Sequence, residues 1–88
     1  MIVDDDDEIR EALGDVLSER GYGIIAASDG QQALARLKQG QRPDAIFLDL
    51  WMSVMNGWEL VAALSSNPKL SGIPRVVLTA ARGQRARD

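Results

Sequence analysis

Two kinds of apolar pattern alternate along this chain, and their order limits the fold more than any single motif does. Met1-Ile2-Val3 is a continuous apolar run that stops at four aspartates, Asp4 to Asp7, and reads as the end of a buried strand. Ile9, Ala12, Leu13, Val16 and Leu17 then recur at the spacing of one helix face. Acids occupy the first turn of that helix and Arg20 its last, as the helix dipole favours. Gly21 supplies a C-terminal cap, while Gly14 inside costs about 1 kcal/mol against alanine. Tyr22 to Ala27 is a second strand centred on Ile24-Ile25. Asp29 with Gln32 forms a capping pair for a helix carrying Ala33, Leu34 and Leu37, closed by Gly40. Asp44 to Asp49 is a third strand, with a continuous apolar run from Ala45 to Leu48 and an acid at its far end. Asn56 and Glu59 open a third helix with Leu60, Val61 and Leu64 on one face, and Arg75 to Ala80 is a fourth strand.

The order is β-α-β-α-β-α-β. Strands without polar alternation are buried on both faces, as in a parallel sheet between helix layers. Right-handed crossovers then give an open, doubly wound α/β sheet. Ligands of such sheets sit beyond the carboxyl ends of the strands, where strand order reverses.

Composition removes several chemistries. The chain has no cysteine and no histidine, so it lacks thiolate and imidazole metal ligands and any nucleophile–histidine dyad. With 88 residues, one domain spanning 1–88 is expected. No apolar run approaches a membrane span and no cleavable leader is visible, which with the missing cysteines points to the cytoplasm. Residues 1–74 carry twelve acids against six bases, which argues against direct nucleic-acid contact. Arg75, Arg82, Arg85 and Arg87 near the end read as a solvated tail.

Asp4-Asp5, Asp49 and Thr79 fall at the carboxyl ends of strands one, three and four. Each carboxylate pair about 5 Å apart repels by roughly 3 kcal/mol at an effective dielectric near 20, which calls for a proton or a cation. Oxygen ligands with open positions suit Mg2+. A hard cation beside a strand-end aspartate is also what phosphoryl transfer to a carboxylate requires. Taken singly, the aspartate run is an ordinary solvated helix start and Asp49 an ordinary strand cap. The convergence of three strand ends makes the set specific. A calcium loop starting at Asp4 fails, because Ile9 stands where its glycine belongs and Asp15 where its glutamate belongs.

These residues resemble the receiver domains of bacterial two-component response regulators. The likeness rests on Ile2-Val3-Asp4-Asp5, on Ile46-Phe47-Leu48-Asp49-Leu50-Trp51-Met52 with Met55-Asn56-Gly57, and on Val76-Val77-Leu78-Thr79-Ala80. Asp49 follows Asp5 by 44 positions and Thr79 follows Asp49 by 30, in keeping with that family. The resemblance implies a flavodoxin-like receiver topology with strand order 2-1-3-4. It implies phosphorelay signalling, with Asp49 taking a phosphoryl group from a sensor histidine kinase or phosphotransfer protein. Asp4, Asp5, Asp49 and the backbone carbonyl of Trp51 would hold Mg2+, and Thr79 would be the switch hydroxyl. Trp51 and Ala81 occupy positions that tune the lifetime of the aspartyl-phosphate. The chain would be a phosphoacceptor rather than an enzyme, beyond self-phosphorylation and slow autodephosphorylation.

The sequence departs from that pattern in three places. Ser53 stands where proline is usual, the first strand is short, and the family's fifth strand with its lysine, together with the last helices, lies beyond residue 88. A rival expectation is therefore a receiver-like binding module that works without phosphorylation. An aspartate-dependent phosphohydrolase is disfavoured, since its second acid would stand at Trp51. The fourth strand, left at the sheet's edge, invites a homodimer.

Overall fold

In the computed structural model, which describes residues 1–78, the expected element order is present. The elements are β1 (Ile2–Val3), α1 (Asp7–Glu19), β2 (Ala26–Ala27), α2 (Gly30–Lys38), β3 (Ile46–Leu48), α3 (Gly57–Ser66) and β4 (Arg75–Val77). The strands form one sheet in the order β2-β1-β3-β4, with every neighbouring pair parallel. This is the doubly wound α/β sheet that the patterning implies, in the flavodoxin-like strand order that the resemblance implies.

Strand alternation divides the side chains between two faces. Val3, Ala27, Ile46 and Leu48 point toward α2 and α3, where they meet Ala33, Leu37, Leu60, Leu64 and Leu70 in a buried cluster. Fully burying each of these leucines stabilises the fold by about 1.5–3 kcal/mol. Ile2 and Phe47 face the other way, toward α1. A groove of about 530 Å³ opens there, at the amino ends of β1 and β3, lined in part by Ile2, Leu17, Tyr22, Ile24 and Phe47. Among the described residues, no helix is long and apolar enough to cross a membrane.

Helix ends follow the sequence signals with instructive exceptions. Asn56 and Glu59 form the reciprocal capping box at α3. At α2, Asp29 accepts from the Gln32 N–H, but the Gln32 side chain turns to the amide of Ser28 instead of Asp29. Gly21 and Gly40 have φ of 92° and 105°. Each closes its helix with the paired hydrogen bonds of a Schellman motif: Gly21 to Ser18 and Tyr22 to Leu17, then Gly40 to Leu37 and Gln41 to Arg36. Arg20 is the C-terminal cap residue of α1, so the last turn itself holds no base.

Four expectations are corrected. The second strand spans only Ala26–Ala27, because an edge strand is held from one side and Tyr22 and Ile24 stay exposed. The third strand is shorter at both ends than expected, and Asp44 is exposed. Burial on both faces holds for β1 but not for β4, whose Val76 and Val77 are 43% and 46% exposed. Likewise α1 buries no residue fully: Ile9, Leu13 and Leu17 meet the sheet partway while Ala12 and Val16 remain in solvent.

Candidate functional site

Backbone register assembles the acidic site. Val3 lies opposite Leu48 in the β1–β3 ladder, so the next residues, Asp4 and Asp49, leave adjacent strands at the same level. The Asp49 N–H donates to the Val3 carbonyl at 3.0 Å and locks that level. Both aspartates are fully buried, while Asp5 is exposed.

Each buried aspartate uses one oxygen for the same local device. Asp4 Oδ1 accepts the Asp6 N–H at 2.9 Å, and Asp49 Oδ1 accepts the Trp51 N–H at 3.0 Å. These are Asx turns, which bend the chain away from the strand and fix the carboxylate's direction. Two residues on, Asp6 caps α1 by accepting from Glu8 and Ile9. The aspartate run thus divides its labour: Asp4 aims into the site, Asp6 starts the helix, and Asp7 pairs with Arg10.

Oxygens of Asp4, Asp5 and Asp49 all lie within 4.8 Å of one another. Two oxygens on one magnesium stand at most about 4.2 Å apart, twice the 2.1 Å bond, and on calcium about 5 Å. The cluster therefore fits a divalent cation with at most a small closure, which the solvent-exposed Asp5 can supply. All-carboxylate donors without nitrogen or sulfur select a hard ion.

The loop after Asp49 is held at several points. The Gly30 N–H donates to the carbonyls of Val54 and Met55, and the Gly57 N–H to that of Leu50. Met55 adopts a φ of 46° to make the turn. A Cβ at Gly57 would lie 2.6 Å from Leu50 Cα and 2.7 Å from the Asp49 carbonyl oxygen. Only glycine lets the start of α3 approach the acid this closely. The Trp51 indole meets that of Trp58 edge-to-face, with centroids 5.1 Å apart.

Of the residues singled out in the sequence, Asp4, Asp5 and Asp49 converge, and Trp51 is tied to Asp49 through its amide. Thr79 and Ala81 lie outside the described residues; the Leu78 N–H, just before them, donates to the Leu48 carbonyl at 2.8 Å. Two contributors escaped sequence reasoning. Arg10 reaches back from α1 to donate to the Asp4 carbonyl at 2.7 Å, and its spacing of three from Asp7 was the available signal. Trp58 had no signal at all, since its contact with Trp51 exists only once α3 is docked.

Residues 1–87 match the response regulator receiver domain family. The chain is 41% identical over 80 residues to a response regulator, MprA, of Mycolicibacterium vanbaalenii, covering 91% of this chain and 33% of the relative. It is 39% identical over 80 residues to the DNA-binding response regulator MtrA of Mycolicibacterium smegmatis, with the same coverage of each. The chain thus spans about a third of the length of these curated relatives. Among solved structures, the signal receiver domain of a signal transduction histidine kinase from Syntrophus aciditrophicus superposes with a TM-score of 0.82 at 32% identity. That match covers 99% of this chain and 68% of the other. The chemotaxis protein CheY4 of Vibrio cholerae gives 0.80 at 30% identity, covering 98% and 74%.

Proposed function

Because the chain belongs to the response regulator receiver domain family, we propose that it is a phosphorelay receiver that accepts a phosphoryl group on Asp49. The observation that carries this reading is the convergence of Asp4, Asp5 and Asp49 within 4.8 Å at the carboxyl edge of the sheet. Asp49 is fully buried at this rim, and the Asx turn with Trp51 fixes the direction of its carboxylate. An oxygen of the Asp49 carboxylate is the proposed nucleophile. It attacks phosphorus in line, a P–O bond forms, and the P–N bond of a donor phosphohistidine breaks, with the imidazole leaving.

Asp4, Asp5 and Asp49, with the Trp51 carbonyl, are the groups proposed to hold Mg2+. When bound, the ion neutralises charge on the phosphoryl oxygens and on the acids. Asp4 and Asp5 orient and balance charge; Thr79 is proposed as the hydroxyl that meets the phosphoryl group. The partner is a sensor histidine kinase or phosphotransfer protein, and the setting is cytoplasmic. The acidic body makes direct nucleic-acid contact no part of this proposal. A second copy, pairing along β4, is the other proposed partner; the exposure of Val76 and Val77 supports it.

Acetyl phosphate labelling followed by intact mass measurement tests the assignment. Labelling is expected with magnesium, absent with a chelator, abolished in Asp49→Asn and weakened in Asp4→Ala. An added phosphoryl group brings about −1.5 to −2 charge to an acidic rim, so the cation should be obligatory. Label that persists in Asp49→Asn overturns the acceptor assignment. No label in the wild type leaves a binding module that works without phosphorylation.

A further inference from the structure

Trp51 and Trp58 are 46% and 51% exposed, and neither belongs to the hydrophobic core. Two half-solvated indoles in contact form a continuous apolar surface, and Val54 of the same loop is 46% exposed as well. Exposed apolar patches with polar rims mark interaction surfaces, and tryptophan is the residue type most enriched at their energetic centres.

This patch is fixed relative to the acid site at both ends. Trp51 is held by its amide to Asp49 Oδ1. Trp58 is the second residue of α3, whose first residue, Gly57, is pressed on the Asp49 carbonyl and bonded to Leu50. The capping box of Asn56 and Glu59 sets the direction of that helix. An object resting on the indoles therefore has a defined position relative to Asp49.

The chemistry of the object follows from the charges around it. Asp5, which shares a 4.8 Å cluster with Asp4 and with the Asp49 that holds the Trp51 amide, and Glu59, the residue after Trp58 in α3, are exposed acids, and residues 1–74 hold twice as many acids as bases. Arg10, which reaches the acid site through the Asp4 carbonyl, is already engaged there and by Asp7. Aromatic faces rimmed by carboxylates attract a cation carried on an aliphatic stem, through cation–π contact and charge complementarity together.

We propose that the Trp51–Trp58 pair is the docking surface for the phosphodonor protein, and that it takes an arginine or lysine side chain flanking the donor's phosphohistidine. This rests on the phosphoacceptor reading and adds to it the partner's surface chemistry. Transfer itself is unchanged: the donor's P–N bond breaks as the P–O bond to Asp49 forms. Trp58 is a positioning residue in this scheme, acting on donor binding and not on the reacting atoms.

The probe is a synthetic peptide of leucine and arginine with one central histidine, phosphorylated chemically with phosphoramidate. A second peptide carries glutamate in place of each arginine. With the full chain and magnesium, the arginine peptide should label Asp49, and the glutamate peptide should transfer far less. In Trp58→Ala, KM for the arginine peptide should rise about tenfold with kcat kept, a loss of about 1.4 kcal/mol in donor binding. Labelling by acetyl phosphate, which has no side chain to dock, should be unchanged. Trp58→Phe should restore most of the affinity, and also serves if the alanine variant folds poorly.

Equal KM values in wild type and Trp58→Ala, or equal transfer from the two peptides, overturn the proposal. A wild type that acetyl phosphate fails to label overturns instead the reading on which it rests. Binding of the arginine peptide, followed by tryptophan emission, still decides the docking surface in that case. A loss of both transfer and acetyl phosphate labelling in a folded Trp58→Ala chain would make Trp58 part of the acceptor's own support and also defeat the docking role.

Discussion

Replacing Asp49 by asparagine should stabilise the metal-free chain, although it removes the residue on which the proposed function depends. Asp4 and Asp49 are both fully buried, with carboxylate oxygens inside a 4.8 Å cluster. At that distance and an effective dielectric near 20, two ionised groups repel by about 3.5 kcal/mol. The pair with exposed Asp5 adds less, because solvent and salt screen it. Asparagine keeps an Oδ1 to accept the Trp51 N–H at the same place, so the Asx turn survives. After allowance for relaxation, a net gain of about 1–3 kcal/mol is expected, which for a domain this size raises Tm by several degrees. Urea unfolding, followed by tryptophan emission in chelator and in saturating magnesium, reads both parts of the argument. In chelator the variant should unfold at higher urea than wild type; in magnesium the wild type should recover most of the difference. A variant less stable than wild type in chelator, with an undiminished response to magnesium, would refute the electrostatic reasoning and place the cation elsewhere.

Two glycine substitutions should act in opposite directions. Gly14→Ala in α1 should stabilise by about 1 kcal/mol, since the new methyl meets Ile24 and Ile2 at 3.7 and 3.8 Å, ordinary contact distances, and alanine suits a helix better; an unchanged or lower urea midpoint would contradict this. Gly57→Ala should destabilise by about 1–3 kcal/mol despite the same helix preference, because its Cβ meets backbone of Asp49 and Leu50, and it should weaken magnesium binding too. A Gly57→Ala chain that binds magnesium normally would show that the loop yields freely. Val77→Lys should disperse any assembly formed along β4, as seen in sedimentation, since charge on an open edge blocks pairing; wild type that sediments as a monomer at high concentration removes the reason for the variant.

Much of the fold was legible because its signals are local. The stripe from Ile9 to Leu17, the Asn56–Glu59 pair and the glycines at 21 and 40 each specify a helix or its end within a few residues. Strand lengths were not legible in the same way. Ile24 and Val77 are as apolar as Ile46, but a strand's extent depends on whether a neighbour sits beside it, and β2 and β4 are edges among the described residues. Gln32 shows the same limit at atomic scale: two amides, of Ser28 and Asp29, compete for its oxygen, and sequence spacing does not rank them. At the site, the acids were visible as strand-end residues, whereas the Trp51–Trp58 contact required the packing of α3 against the loop.

Parallel pairing ties the position of the acids to the strands more directly than to the loop. Asp4 and Asp49 are brought level by the ladder itself, through Val3 opposite Leu48 and the Asp49 N–H on the Val3 carbonyl. A one-residue slip of β3 would turn Asp49 to the other face and carry Leu48 out of the core at the same time. Burial of Leu48, Ile46 and Val3 thus fixes the relative height of the two acids, so core energy guards site geometry. The loop to Gly57 has a different task, which is to bend sharply and present Trp51, and its anchors are backbone hydrogen bonds with Gly30 and Leu50 and the Trp51 amide on Asp49 Oδ1. Serine at position 53, exposed within that loop, disturbs none of those anchors. Position 53 can therefore depart from proline without moving the acids, whereas a change at Val3 or Leu48 that loosens the ladder should move them.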